Sequence, residues 1–310
     1  MDLCGGNNFK CNFCKVCNGK GCIAQLPGMG GVKNNENFIL NCTDWEVVRN
    51  KNIKKIKKFL DLPPEFRIPA ISIAPMTGAV ENIGFAYESD FYDEIIQAMH
   101  EVGVGLCIGD GYPDEKLKFG IAALKRIKDE TADARTSVFI KPYSNEKIIE
   151  RFEWAKDYVK VAGIDIDSYN IVTMRNLVKL EKKSASQLIE IKKHVKMPFA
   201  IKGIFKKEDI KLIKEVLPDI AYISNHGGRI ETRKGSTAEF LAKYGSEIKK
   251  YCGELWVDGG IRTARDVATA QALGANCVLV GRPFASALCH GGAKELCGKV
   301  LELSLLKYGF

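Results

Sequence analysis

The chain has 310 residues, of which 46% are hydrophobic, so it can bury a large core and form one barrel-sized domain with a short extension. Its net charge of +8 comes mainly from lysines in amphipathic stretches such as residues 50–58, and without interleaved aromatic residues these favour solvated helix faces over nucleic-acid binding. The N-terminus lacks the features of a signal peptide, and no apolar run reaches the length of a membrane span. We therefore expect a cytoplasmic protein without nucleic-acid or membrane partners.

From residue 70 onward, short runs rich in Ile and Val alternate with amphipathic segments about every thirty residues, as in repeated βα units. The predicted strands are Ala70–Ala74, Val104–Ile108, Ser137–Lys141, Gly163–Asp167, Pro198–Lys202, Ile220–Ser224, Glu254–Asp258 and Asn276–Val280. Ser184 and Gln187 have the spacing of a capping box at the start of one connecting helix. Eight such units predict a (β/α)8 TIM barrel over residues 32–310, with a Cys-rich segment and linker over residues 1–31.

Glycines and charged residues follow the predicted strands at the end of a barrel where active sites lie. Ser224–Arg229 places an imidazole and a guanidinium three residues apart, which suits proton transfer and the binding of a carboxylate. Asp258–Arg262 and Gly281–Pro283 each combine glycine with arginine. Glycine N–H groups and arginine are typical of phosphate sites after the last strands of such barrels, so a phosphate-bearing ligand is expected.

Five motifs, in this order, resemble the FMN-dependent α-hydroxy-acid oxidase and dehydrogenase family, which includes glycolate and lactate oxidases. They are Ala74–Gly78, Ile201–Ile204, Ser224–Arg229, Asp258–Arg262 and Val280–Pro283, and the resemblance covers residues 68–290. It implies FMN across the barrel mouth. The implied contacts are Pro75, Met76 and Thr77 near flavin N5, Lys202 near N1 and O2, Asp258 at the ribityl chain, and Gly260, Arg262, Gly281 and Arg282 at the phosphate.

The resemblance also implies a reaction, the oxidation of a 2-hydroxy acid or related carboxylate to the 2-oxo acid. His226 would be the base toward the substrate, Arg229 would pair with its carboxylate, and Lys202 would favour negative charge on the reduced flavin. The partners expected are a small carboxylate substrate and further copies of the chain in a homo-oligomer. The electron acceptor stays open.

Two departures from the family pattern argue against simple lactate or glycolate as the substrate. Where the family has a tyrosine in the Gln-Leu-Tyr pattern of strand three, this chain reads Ser137–Pro142 with Phe139, which predicts the loss of a substrate-binding hydroxyl. Arg175 is a poorly aligned substitute for the family's second carboxylate-binding arginine. The alternatives are an isomerase or reductase of the type 2 isopentenyl diphosphate isomerase kind, and a flavin redox sensor whose cysteine segment is the output.

Five of the eleven cysteines fall within the first 22 residues. Cys11, Cys14, Cys17 and Cys22 are spaced closely enough to bind one metal. Zinc, a 4Fe-4S cluster and free or redox-active thiols all remain open at this segment. The other six cysteines are predicted to be mainly core thiols, with Cys107 at a strand end near the barrel mouth.

Overall fold

The computed structural model describes residues 36–61, 70–83, 85–127, 135–171, 174, 177–230 and 232–304. Within these ranges, eight parallel strands form one sheet in which β1 pairs with β8 and the remaining strands follow in sequential order. They are β1 (Ile71–Ile73), β2 (Leu106–Gly109), β3 (Thr136–Ile140), β4 (Val161–Asp165), β5 (Phe199–Ile204), β6 (Ile220–Ile223), β7 (Glu254–Val257) and β8 (Cys277–Val280). Hydrogen bonds from Gly105 N to Ile71 O at 2.9 Å and from Ile73 N to Gly105 O at 3.0 Å close the circle. The predicted (β/α)8 barrel is confirmed.

Each strand is followed by at least one helix. The helices are α1 (Glu36–Lys51), α2 (Ile53–Leu60), α3 (Ala79–Asn82), α4 (Glu88–Glu101), α5 (Glu115–Arg126), α6 (Asn145–Ala155), α7 (Ala185–His194), α8 (Lys207–Val216), α9 (Thr237–Ile248), α10 (Ala264–Ala272) and α11 (Arg282–Ser304), with 3-10 turns at Ile166–Asn170, His226–Gly228 and Lys249–Tyr251. The predicted capping box of Ser184 and Gln187 opens α7. Among the described helices, none combines the length and the apolar character needed to cross a bilayer.

The end of β4 differs from the prediction in a way that affects the site. The predicted strand ran to Asp167, but β4 ends at Asp165 and a 3-10 turn begins at Ile166. The hydroxyl of Ser168 donates to the carbonyl of Asp165 at 2.8 Å, which closes this turn in place of a further strand pairing. Asp165 therefore ends the strand, and Asp167 lies in the turn above the barrel. Strand β5 is longer at its C-terminal end than predicted, since it continues past Lys202 to Ile204.

An aromatic cluster fills the barrel interior below the site. The ring of Phe139 on β3 lies 5.3 Å from that of Tyr222 on β6, and the Tyr222 ring lies 6.0 Å from that of Trp256 on β7. Gly163 on β4 makes room for it, since a Cβ there would lie 2.3 Å from the Phe139 ring. This cluster forms a floor beneath the polar ends of the strands.

Helix α1 packs against the loops that follow β6 and β7. The side-chain amide of Asn41 donates to the side-chain oxygen of Asn225 at 2.8 Å, and the indole N–H of Trp45 donates to the carbonyl of Gly259 at 2.8 Å. Gly260 has a φ of +78°, and a Cβ there would lie 1.7 Å from the carbonyl oxygen of Asn41. Only glycine fits this contact, so α1 fixes the backbone of the predicted phosphate loop.

Several predictions fall outside the described residues. The segment 1–31, with Cys11, Cys14, Cys17 and Cys22, is one of them, and Arg175 is another. The division into residues 1–31 and 32–310 and the metal site at the four cysteines stay predictions. Of the six other cysteines, Cys107, Cys277 and Cys289 are buried as expected, and Cys42, Cys252 and Cys297 are half-buried. Cys107 lies within β2 and not at its end.

Candidate active site

A cavity of about 430 Å³ lies at the C-terminal ends of the strands. All eleven site residues predicted outside the cysteine segment line it: Pro75, Met76, Thr77, Lys202, His226, Arg229, Asp258, Gly260, Arg262, Gly281 and Arg282. They come from strand ends, loops and a helix start spread over more than two hundred residues of chain. Their presence around one cavity is the geometry expected of a functional site in a barrel.

The imidazole of His226 is held from both ring nitrogens. Its Nδ1 lies 2.9 Å from Oδ1 of Asp167. Its Nε2 lies 3.0 Å from Oδ2 of Asp165 and 3.2 Å from Nζ of Lys141. The imidazole is 13% exposed, so a ring with nearly fixed orientation still reaches the cavity.

Asp165 lies at the centre of a buried charge network. Its Oδ2 lies 2.7 Å from Nζ of Lys141, and its Oδ1 lies 2.8 Å from Nζ of Lys202. Burial alone would raise the pKa of Asp165, but the charges of His226, Lys141 and Lys202 hold it well below its usual value. In the same way the pKa of Lys202 is raised despite its burial, by the carboxylates of Asp165, Asp167 and Asp258. Asp165 and Lys202 are therefore charged at neutral pH.

Burial, together with the charge of Asp165, raises the pKa of Asp167 above its usual value, although His226 acts in the opposite direction. Asp165, Asp167 and His226 lie close enough together to bind a metal ion. The two lysines already balance the charge of the two carboxylates, however, and so the arrangement favours an ion-pair network around the imidazole over a cation site.

Sequence reasoning did not assign roles to Lys141, Asp165 and Asp167. The segment Ser137–Pro142 was expected to lack a substrate-binding hydroxyl because it contains Phe139 in place of a tyrosine. Phe139 lies in the barrel interior, and Lys141, two residues further on, lines the cavity. The available signal was position, since Lys141 ends one predicted strand and both aspartates lie at or near the end of the next.

Three arginines line the cavity and favour the binding of an anion there. Burial lowers the pKa of Arg229 to about 10. Burial, together with the positive charges of Arg262 and Arg229, lowers the pKa of Arg282 to about 9. Burial also lowers the pKa of Arg262. Each shift means that the charged guanidinium is costly here until an anion is bound.

The residues present fit a phosphorylated cofactor with a polyhydroxyl chain. Among the buried side-chain atoms described, Nε of Arg262, Nη1 of Arg282 and Oδ1 of Asp258 have no hydrogen-bond partner. The other carboxylate oxygen of Asp258 accepts from the hydroxyl of Tyr222 at 2.8 Å. Unused guanidinium N–H groups suit phosphate oxygens, and an unused carboxylate oxygen suits a hydroxyl donor.

Helix α4 holds the loop that includes Pro75, Met76 and Thr77. The buried carboxylate of Glu88 accepts hydrogen bonds from Gly78 N at 2.6 Å, Ala79 N at 2.7 Å and the hydroxyl of Thr77 at 3.1 Å. One turn further on, the hydroxyl of Tyr92 donates to the carbonyl of Met76 at 2.8 Å. Contacts within the protein therefore hold this side of the cavity in place.

The fold and the site together define a (β/α)8 barrel suited to a phosphate-bearing cofactor. A family model described as FMN-dependent dehydrogenase matches residues 122–302. The chain belongs to this family, and FMN is the cofactor that the family assignment supplies.

Two curated relatives illustrate the similarity in sequence. The chain is 41% identical over 113 residues to a 2-hydroxyacid oxidase of Dictyostelium discoideum, covering 36% of this chain and 29% of the relative. It is 44% identical over 99 residues to an L-lactate dehydrogenase of Vibrio parahaemolyticus, covering 31% of this chain and 25% of the relative. The matched segments thus span less than a third of these relatives.

Solved structures show the same fold. A variant of mandelate oxidase with 2-hydroxy-phenylacetamide matches with a TM-score of 0.62 and 20% identity, covering 91% of this chain and 90% of that one. A lactate oxidase of Pediococcus acidilactici matches with a TM-score of 0.59 and 21% identity, covering 76% of this chain and 68% of that one. At these identities the likeness concerns the barrel alone.

Proposed function

We propose that this protein is an FMN-dependent oxidoreductase that oxidises a 2-hydroxy acid to the 2-oxo acid. The observation that supports it most directly is the pairing of His226 Nδ1 with Asp167 at 2.9 Å, in a cavity that Arg229 also lines. Asp167 can accept from an N–H at Nδ1, and the Lys141 ammonium 3.2 Å from Nε2 favours the tautomer in which Nε2 carries the lone pair that accepts a proton. The relatives named as 2-hydroxyacid oxidase and lactate dehydrogenase support the same reaction class.

The cofactor is held by the residues with unused polar atoms. Arg262 and Arg282, with the backbone of Gly260 and Gly281, bind the phosphate, and Asp258 binds a hydroxyl of the ribityl chain. FMN, when bound, supplies the redox chemistry by accepting two electrons from the substrate carbon. Lys202, whose charge is secured by the carboxylates around it, favours the negative charge that reduction brings.

The substrate is bound and deprotonated by two residues of the loop after β6. Arg229 binds the substrate carboxylate, because a guanidinium can donate two parallel hydrogen bonds to it. The hydroxyl proton of the substrate passes to Nε2 of His226, and Asp167 stabilises the imidazolium that results. Loss of that proton, and of the Cα hydrogen together with the two electrons of its C–H bond, leaves the 2-oxo acid; FMN, when bound, would take up that hydrogen with its two electrons.

Anaerobic mixing of the FMN-loaded protein with a panel of 2-hydroxy acids tests this proposal. Rapid bleaching of the flavin absorbance by at least one member of the panel is expected. Arg229→Met should raise the apparent dissociation constant of that acid about 10-fold or more, while the exposed control Lys156→Met should behave as the wild type. Bleaching by NAD(P)H alone, with no response to any 2-hydroxy acid, would contradict the proposal.

A further inference from the structure

The Nε2 atom of His226 faces two groups of opposite charge. Oδ2 of Asp165 lies 3.0 Å from it, and Nζ of Lys141 lies 3.2 Å from it. A protonated ring nitrogen donates to a carboxylate, and an unprotonated one accepts from an ammonium group. Each protonation state of Nε2 therefore has a hydrogen-bond partner already in place.

These two partners hold each other in position. Lys141 and Asp165 are joined at 2.7 Å, and their side chains are 9% and 4% exposed. Lys202, on β5, binds the second oxygen of Asp165 at a distance of 2.8 Å. The carboxylate therefore has little freedom to rotate. Among the described residues, Asp167 is the third charged group that contacts the ring, at the opposite nitrogen. A change in the charge of His226 thus requires no large movement of these side chains.

The net charge of the network also suits a proton acceptor. With a neutral imidazole, Lys141 and Lys202 balance Asp165 and Asp167. Uptake of one proton by His226 adds a single positive charge, which lies between two carboxylates. Preorganised groups of this kind stabilise a charge as it develops, because they do not have to reorient during the reaction.

We propose that Lys141 and Asp165 are positioning residues that provide paired partners for Nε2 of His226, one for the neutral ring and one for the protonated ring. Lys141 donates to Nε2 before proton transfer. When the O–H bond of the substrate breaks and the N–H bond at Nε2 forms, Asp165 accepts from the new N–H group. The inference deepens the proposed function, since it rests on His226 as the proton acceptor.

The two partners should act in opposite directions on the charge of the ring. Loss of the Lys141 ammonium removes a positive neighbour and so favours the imidazolium. Loss of the Asp165 charge removes a negative neighbour and so favours the neutral ring. A purely structural role for the ion pair would give no such opposition.

Nuclear magnetic resonance of the FMN-loaded full chain, labelled with 15N in its four histidines, tests this without any substrate. The signals of His226 are assigned by their loss in His226→Gln. The midpoint of its titration is expected to move up by about one pH unit in Lys141→Met and down by about one pH unit in Asp165→Asn. Lys141→Arg, which keeps the charge, should stay near the wild type, as should the exposed control Lys156→Met.

Midpoints that move in the same direction, or that do not move, would overturn the proposal. If Lys141→Met does not bind FMN, Lys141→Gln replaces it. Glutamine is a shorter, neutral donor, so this variant should also raise the midpoint of the His226 titration. An unchanged midpoint in Lys141→Gln would count against the proposal. Flavin bleaching is measured separately. A failure of every 2-hydroxy acid to bleach the flavin therefore rejects the proposed function, whereas unchanged titrations reject the pairing of Lys141 and Asp165 with His226.

Discussion

Asp167 and His226 are 59 residues apart in the chain, and their side chains meet at 2.9 Å across the mouth of the barrel. Because β4 ends at Asp165, Asp167 lies in the following 3-10 turn, from which it reaches Nδ1 of the imidazole. Together with the Lys141 ammonium 3.2 Å from Nε2, this contact favours the tautomer in which Nε2 can accept a proton. It is the relationship on which the proposed chemistry depends most directly.

Replacement of Asp167 by asparagine should therefore slow the reaction while the cofactor stays bound. Asp167→Asn removes the charge that stabilises the imidazolium and can hold the ring in the wrong tautomer. We expect the rate constant for anaerobic flavin reduction by an active 2-hydroxy acid to fall about 100-fold or more. Stopped-flow absorbance measures it, with the exposed Asp157→Asn as the control. An undiminished rate in Asp167→Asn would show that this carboxylate does not serve the base.

Gly260 offers a test of the contact between α1 and the predicted phosphate loop. Gly260→Ala places a Cβ 1.7 Å from the carbonyl oxygen of Asn41 and also strains a φ of +78°. Gly274→Ala is a matched control, because Gly274 has a φ of +106° and no atom within 4 Å of the added Cβ. The control should lose about 1 kcal/mol of unfolding free energy, and Gly260→Ala should lose about 2–4 kcal/mol and bind FMN more weakly. Urea unfolding measures the unfolding free energy, and flavin fluorescence measures the binding of FMN. Equal losses of unfolding free energy in the two variants would show that α1 can move away from the added Cβ without destabilising the protein.

The sequence was sufficient to predict the barrel and the side chains at its mouth, but not the connections between them. Alternating strands and helices are local patterns, and glycines with charged residues after each strand mark the C-terminal face. The partners of His226 could not be predicted in this way. Lys141, Asp165 and His226 lie on separate strand ends that meet only when the barrel closes, and a strand-end lysine or aspartate is more often solvated than paired.

The same limit applies to helix α1. Its residue Asn41 bonds to Asn225 across 184 residues of chain, and nothing near Asn41 in the sequence indicates that partner. The end of β4 was missed for a different reason. Ile166 continues the apolar pattern of a strand, whereas the side chain of Ser168 closes a turn there.

Glu88 should matter for the rigidity of the loop before α3. Its carboxylate accepts from three backbone N–H groups and from the hydroxyl of Thr77, and Glu88→Gln would turn an N–H donor toward one of those donors. We expect a loss of about 1–3 kcal/mol in unfolding free energy. Glu101→Gln, on the exposed end of the same helix, should change it by less than about 0.5 kcal/mol. Chemical denaturation of both variants measures this, and equal stabilities would mean that the loop is held by other contacts.

The lowered pKa of Arg282 predicts how the affinity for FMN depends on pH. Burial and the charges of Arg262 and Arg229 bring this pKa to about 9 in the ligand-free protein. Below that pH the guanidinium is charged and binds phosphate; above it the proton must be taken up again on binding, so the affinity falls as the pH rises. The affinity decreases and does not increase with pH because the phosphate binds the protonated guanidinium of Arg282 more tightly than the neutral one.

Fluorescence titrations with FMN between pH 7 and 10 measure this dependence, and riboflavin serves as the control because it lacks the phosphate. We expect the ratio of the affinity for FMN to the affinity for riboflavin to decrease above about pH 9. In Arg282→Met this decrease should be absent, because the affinity for FMN is already low at about pH 7. Riboflavin and FMN that weaken in parallel with pH would contradict a role for Arg282 at the phosphate. A decrease retained in Arg282→Met would instead point to Arg262, whose pKa is also lowered by burial.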